Sequence, residues 1–203
     1  MKLRTAIMMA AAVCIAAASE PASSKSAGEY FAAAPDSVVP LLDLNTRLDM
    51  LDYYDCGSRT ASTNMLEGKS RVTYRDSLTV RYELTERIKG QLSVIPMAKG
   101  DSLIIVITTL ATPTPDSEIE IYTTQWQRPG KPVFRSPTMS DWITAAAPPE
   151  EQAQFMMYSA DYDSSTKTLT LTSTMDKYCG TEPHWLRRQL IYRFDGKKFK
   201  QEK

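Results

Sequence analysis

The most apolar run away from the N-terminus is Ser102 to Leu110, and its pattern organises the expectations for the rest of the chain. Leu103, Ile104, Ile105, Val106 and Ile107 follow one another with no polar residue between them. A run without alternation is covered on both faces. It is short for a helix, and its β-branched side chains suit a pleated surface. Gly100-Asp101 and Pro113 punctuate its ends. It is expected to be a central strand on which the rest of the chain packs.

Alternating stretches surround it. Ser70–Tyr74 and Leu78–Leu84 alternate about Arg75-Asp76-Ser77 and predict a hairpin with one wet face. Gln91–Pro96 is expected to pair with the central strand across Ala98-Lys99-Gly100-Asp101. Glu118–Trp126 sets Ile119, Ile121 and Thr123 against Glu118, Glu120 and Tyr122, and Pro132–Phe134 is expected to return as a short edge strand. Later, Phe155–Tyr162 turns at Asp163-Ser164-Ser165 into Thr168–Met175, and Trp185–Phe194 turns at Asp195-Gly196 into Lys198–Lys200. Asp-Gly between alternating runs is a strong hairpin signal.

Helical periodicity is confined to roughly 36–56. Asp36 or Ser37 supplies a cap, Pro40 falls in a first turn, and Leu41, Leu44, Leu48 and Leu51 form one apolar stripe ending before Gly57, as one kinked helix or as two with the second beginning at Asn45. Ser140 to Ile143 reads as one helical turn capped by Ser140, Ala145–Pro149 as a linker, and Pro148–Gln152 as the start of another short helix. The fold class is therefore α+β: a short N-terminal helical region packed on an antiparallel β-meander, either one curved sheet or two similar half-sheets. The second alternative rests on an internal echo. At an offset of 66, Leu103 falls on Leu169, Ile105 on Leu171, Thr108 on Thr174, Gly130 on Gly196 and Lys131 on Lys197. That would relate residues 91–134 to 155–200 as duplicated halves; the competing reading is that antiparallel meanders resemble one another.

The N-terminus changes the picture of where the chain goes. Lys2 and Arg4, the apolar stretch Ala6 to Ala18 and the small-residue site at Ala17-x-Ser19 predict a signal peptide over 1–19. Export to the periplasm or the exterior follows. Lipidation at Cys14 is disfavoured, because Val13 stands where a small residue is usual and Ile15 to Ala18 continues the apolar run. The segment is too short for a membrane span. Residues 20–34, with Glu20 to Glu29 rich in Pro, Ala, Ser, Lys and Gly, are expected to be a flexible leader before a single domain over 35–203.

Charge and cysteines add two constraints. Loss of Lys2 and Arg4 takes the 24 basic residues to 22 against 24 acidic, a net of −2. No basic run appears, which argues against nucleic acid and anionic membranes as partners. With 42% hydrophobic residues the chain is not a disordered one. Cys56 and Cys179 remain after processing and are candidates for a disulfide. In the chain-entropy model such a bridge contributes about 4–5 kcal/mol. Two buried free thiols are the alternative.

Several segments resemble one family. Pro35-Asp36-Ser37, Asn45-Thr46-Arg47-Leu48-Asp49-Met50-Leu51-Asp52, Leu66-Glu67-Gly68-Lys69-Ser70 and Asp116-Ser117-Glu118-Ile119 followed by Tyr122-Thr123-Thr124-x-Trp126 are similar to a domain-of-unknown-function group of secreted proteins from gut and oral Bacteroidales. The resemblance covers most of the mature chain, with Asn45 to Asp52 its most specific part. It implies a compartment, an organism type and one α+β unit. It assigns no catalytic residue.

Candidate chemistry is sparse. His184 is the sole histidine and sits in a turn, so catalytic triads and most zinc sites must use a loop residue without a motif around it. Asp49, Asp52 and Asp55 recur every three residues, as a solvated helix edge pairing with Arg47 and Arg59 or as a carboxylate cluster for Ca²⁺ or for acid–base work. Asp161-x-Asp163 reads as turn chemistry. Gly68-Lys69-Ser70 lacks the first glycine of a phosphate loop, which would be Thr63. Tyr122, Trp126, Trp185 and Tyr192, with Phe194, either line a binding groove or form sheet-face core. No metal and no cofactor is called for. The expectation is an exported, non-enzymatic protein that binds an envelope protein or peptide through an exposed sheet edge or aromatic face. The alternative is a small-ligand binder, for an apolar or sugar ligand, that uses a concave sheet face.

Overall fold

The structure, a computed structural model, describes residues 25–97, 100–111, 113–144, 155–176, 180 and 184–202. The signal segment, Cys14, Cys179, the linker at 145–149 and the helix expected over 148–152 lie outside the described residues. Among the described residues there are two antiparallel sheets and three short helices. The first sheet runs in order β1 (Ser62–Thr63), β2 (Lys69–Arg75), β3 (Thr79–Glu83), β4 (Ile88–Pro96), β5 (Ser102–Leu110) and β6 (Asp116–Thr123). The second contains β7 (Tyr158–Asp163), β8 (Thr168–Ser173), β9 (Gln189–Phe194) and β10 (Phe199–Gln201), ordered β10-β9-β8-β7.

β5 has the bounds its apolar run predicts, and alternation along it explains why no polar residue interrupts it. Ile104 and Val106 enter the core on one face, while Leu103, Ile105 and Ile107 enter the core on the other. Two helices cover the first face: α1 (Ala27–Ala32) and α2 (Leu44–Asp55). The second sheet covers the opposite face, with Leu169, Leu171, Leu190, Tyr192 and Phe194 packed against Ile105, Ile107 and Ile121. The molecule is a three-layer sandwich of helices, sheet and sheet. On β4, Gly90 stands opposite Tyr82 of β3, and a Cβ there would meet the tyrosine ring at 2.1 Å. The missing side chain lets that ring lie flat on the sheet.

Several expectations are corrected. The leader is folded from residue 25 on. Ser26 and Glu29 form a capping box, and Ala27, Tyr30 and Phe31 of α1 are buried beside α2. The apolar pair Tyr30-Phe31 outweighs the polar composition around it. Of the readings of 36–56, the helix beginning near Asn45 forms: α2 begins at Leu44, capped by Asp43, which accepts the Thr46 N–H at 2.7 Å, while residues 36–41 form turns rather than a first helix. Leu41 has φ 69° and cannot continue a helix.

The leucine stripe is not the buried face. Leu44 and Leu48 are 51% and 42% exposed, whereas Arg47, Met50 and Leu51 are buried. Arg47 turns inward because it has partners there. Its guanidinium donates to the carbonyls of Leu42 (2.5 Å) and Ala32 (3.2 Å) and pairs with Asp36 at 3.3 Å. α3 (Met139–Trp142) is capped by Thr138 rather than Ser140, with the Thr138 N–H and hydroxyl both donating to Asp141.

The internal echo holds only in part. Ile105 pairs with Ile121, but Leu171 pairs with Leu190, three places beyond the position a constant offset assigns. Residues 91–134 contribute β4, β5 and β6, and residues 155–200 contribute β7 to β10, so β10 has no counterpart at Pro132–Phe134, where the sequence predicts a strand.

Candidate functional site: the open edge of β6

Two sheets have four edges, and those at β7 and β10 are closed. β1 is two residues long and pairs only with Lys69 and Ser70, so the rest of β2 has no strand on its outer side, while β10 is three residues long and its Phe199 N–H donates to the Val133 carbonyl. β7 is capped by side chains of the first sheet. Its Tyr158, Ala160 and Tyr162 N–H groups donate to Asp116 (3.4 Å), Ser117 Oγ (2.9 Å) and Gln91 Oε1 (3.3 Å), and the Gln91 amide returns a bond to the Tyr162 carbonyl at 2.5 Å. Gln91 is buried, so this polar bridge is dry.

β6 is different. After Thr123 the chain reverses through residues 124–126. Thr123 donates to the Gln127 carbonyl (2.8 Å) and accepts from Trp126 (3.0 Å), with Trp126 at φ 62°. This is a three-residue hairpin with a left-handed residue at its bulge. It sends the chain back along the outer side of β6. At that register Ile121 would face Pro129 and Ile119 would face Lys131. Proline carries no N–H, so the ladder stops after one pair.

The Pro132–Phe134 edge strand expected from sequence does not form, and the same imino chemistry at Pro129 and Pro132 explains why. Residues 128–136 instead form a strap that bows away from β6. Arg128 anchors one end, with its guanidinium 4.7 Å over the Tyr122 ring and paired to Glu120. Phe134 anchors the other, edge-on to Tyr192 and Phe199.

The direction of the free groups follows from parity. Thr123 points its N–H and C=O away from β5, and residues two apart in an antiparallel strand point the same way. Ser117, Ile119 and Ile121 share that direction. The Ser117 N–H turns back to Asp116 Oδ1 at 3.1 Å. The outward N–H and C=O groups of Ile119 and Ile121 open onto a groove of about 410 Å³, lined by both isoleucines, Arg128, Lys131, Val133 and Phe134. That volume lies within the roughly 300–1,000 Å³ of typical binding pockets.

The four aromatic residues singled out by sequence do not form one groove. Tyr122 is buried in the helix-side core with Trp126 against its ring and Tyr30 beyond. Burial, and then the hydrogen bond to Glu120 at 2.8 Å, raise its hydroxyl to about 12, so it stays a donor. Trp185 and Tyr192 are buried in the core between the sheets. Tyr122 and Trp126 back β6 on the helix side, and Tyr192 meets Phe134 of the strap on the other.

Cys56 is a free, exposed thiol at the end of α2. Asp49 and Asp52 are exposed, Asp55 pairs with Arg75 rather than Arg59, and Asp161 pairs with Arg81 at 2.5 Å. Asp163 accepts from Ser165 and Thr166, which is turn chemistry. Gly68 lies in a turn organised by the buried Asn64, whose Oδ1 accepts the Leu66 and Gly68 N–H groups at 3.0 Å. Among the described residues no cluster of His, Cys, Asp and Glu is placed to hold a metal, and no helix is long and apolar enough to cross a membrane. His184 is exposed.

Sequence reasoning missed Ile119, Ile121 and Pro129 as a unit. The spacing of Pro129, Gly130 and Pro132 after an alternating strand was the available signal.

These features define a class: an α+β two-sheet protein with a half-closed edge strand at β6. The chain belongs to the family described as Protein of unknown function (DUF3256), whose model matches residues 20–199. A domain of an uncharacterized protein from Porphyromonas gingivalis W83 has a similar structure, with a TM-score of 0.65 at 19% identity, over 86% of this chain and 98% of that chain. At that identity the likeness shows the fold. No curated protein matches.

Proposed function

We propose that this is an exported, non-catalytic protein of the cell envelope that holds a peptide or protein partner by strand addition at β6. The observation that carries the reading is the pair of outward main-chain groups at Ile119 and Ile121, left open by Pro129 inside a preformed groove. An extended segment supplies alternating donors and acceptors at the spacing these groups need, which is the chemistry of β-augmentation. Export rests on the N-terminal pattern of Lys2, Arg4 and Ala6 to Ala18.

The small-ligand alternative has less support. The space between the sheets is filled by side chains such as Ile105, Leu169 and Leu171. A recess of about 380 Å³ over β3 and β4 is lined by Thr73, Arg81, Lys89, Gln91 and Thr109, but Gln91 is committed to Tyr162 and Arg81 to Asp161.

Pro129→Thr tests the reading, since it places an N–H opposite the Ile121 carbonyl and lets the strap close. Capture of an envelope partner by the tagged protein in intact cells is expected to fall about tenfold, the equivalent of one lost ladder register at roughly 1.4 kcal/mol. Undiminished capture by a variant whose Ile121 amide has become protected from exchange would contradict it.

A further inference from the structure

We infer that the strap is the second wall of the site, and that the occupant is a single unpaired extended segment held along both of its edges. The inference rests on the strand-addition reading above and adds the class of partner. On one side of the groove stand Ile119 and Ile121 with their outward main-chain groups, and on the other the strap from Pro129 to Phe134. Main-chain hydrogen bonds tie the chain at either end of the strap. Thr123 donates to the Gln127 carbonyl, and the Val133 carbonyl accepts from Phe199. Between these ties, the N–H and C=O groups of Gly130 and Lys131 have no hydrogen-bond partner among the described residues.

The prolines keep the two walls apart. Neither Pro129 nor Pro132 can donate to β6, so the strap does not zip onto it beyond the Thr123–Gln127 pair. A strand residue fills roughly 160 Å³, from its rise, the distance between neighbouring strands and the distance between packed sheets. The groove of about 410 Å³ therefore takes about two or three residues, the length of Ile119 to Ile121. Such a guest has β6 along one edge and the strap along the other. An edge strand of a folded sheet already has a neighbour on its far side, where the strap stands, and does not fit. A proline-rich segment lacks the N–H groups that the carbonyls of both walls accept. What fits is a flexible, proline-free segment that becomes ordered on binding.

A fluorescently labelled nine-residue peptide of alternating Val and Thr, blocked at its ends, separates this inference from the reading beneath it. Successive residues of a strand point their N–H groups to opposite edges. Two further peptides carry N-methyl groups at all odd or at all even positions, so each has one edge without donors. Anisotropy with the unaltered protein is expected to show both methylated peptides binding at least about tenfold more weakly than the parent. The parent is also expected to slow amide exchange at Gly130 and Lys131 by at least about tenfold. Full-strength binding by either methylated peptide, or unchanged exchange at Gly130 and Lys131 in the complex, would overturn the two-walled site. If Ile119 and Ile121 were nevertheless newly protected in that complex, strand addition would stand. No binding of the parent peptide would overturn both.

Discussion

At the scale of single residues, the polar groups that matter are those whose partners decide a local conformation. Arg47 lies on the buried face of α2 because two carbonyls and Asp36 receive its guanidinium, which ties the turn at 35–42 to the helix. Asp163 organises the β7–β8 turn. Hydrogen bonds from the side chain and N–H of Ser165, and then from Thr166, hold its carboxyl down at about 2. This value lies below the roughly 3.9 of an unfolded aspartate. The resulting stability is present above that unfolded value and is lost as pH falls toward the folded one. The melting-temperature gap between the native protein and Asp163→Ala is therefore expected to be steady from about pH 7 to 5 and to narrow between about pH 4 and 2. A gap that persists unchanged at about pH 2 would contradict the assignment of the turn to the ionised carboxylate.

Among elements, α2 shows where sequence periodicity misleads. Leu44 and Leu48 satisfy a helical stripe with Leu51, yet the helix is rolled so that Arg47, Met50 and Leu51 face the sheet. Residue hydrophobicity alone could not reveal this, because the deciding contacts are carbonyls at Leu42 and Ala32, outside the helix. Leu48→Ser is expected to change stability by less than about 0.5 kcal/mol. Leu51→Ala should cost about 2–4 kcal/mol by opening a cavity against the sheet. Chemical denaturation of both variants checks the assignment, and the reverse ranking would restore the stripe as the buried face.

Strands were more legible than helices. β5 was readable to the residue, since an unbroken β-branched run between Gly100-Asp101 and Pro113 has one economical reading. The hairpin of β2 and β3 and the Asp195-Gly196 turn were readable for the same local reason. Tyr30-Phe31 was not, because a helix of six residues carries little periodicity. The candidate site was hardly legible at all. Its open groups are backbone atoms of ordinary isoleucines, and only the register set by Thr123 and Gln127 places Pro129 opposite Ile121.

For the whole molecule, two packed sheets close their edges at β7 and β10 and leave β6 partly open onto a groove. The short outer strands, the Gln91 bridge to β7 and the Val133 carbonyl on β10 are the usual ways a protein prevents unwanted pairing. The strap does this for β6 only at its ends. Helices on one face and the second sheet on the other fix Tyr122, Trp126 and Phe134, so the groove is formed before a guest arrives. Preorganisation of this kind lowers the ordering cost of binding.

The most direct measurement is amide hydrogen exchange resolved along β6 by NMR in the free protein. Glu118, Glu120 and Tyr122, whose amides point at β5, are expected to be strongly protected, while Ile119 and Ile121 exchange at least about a hundredfold faster because nothing in the strap accepts from them. Protection of Ile119 and Ile121 equal to that of Glu120 would mean that the edge is already paired, and the binding account built on it would be wrong.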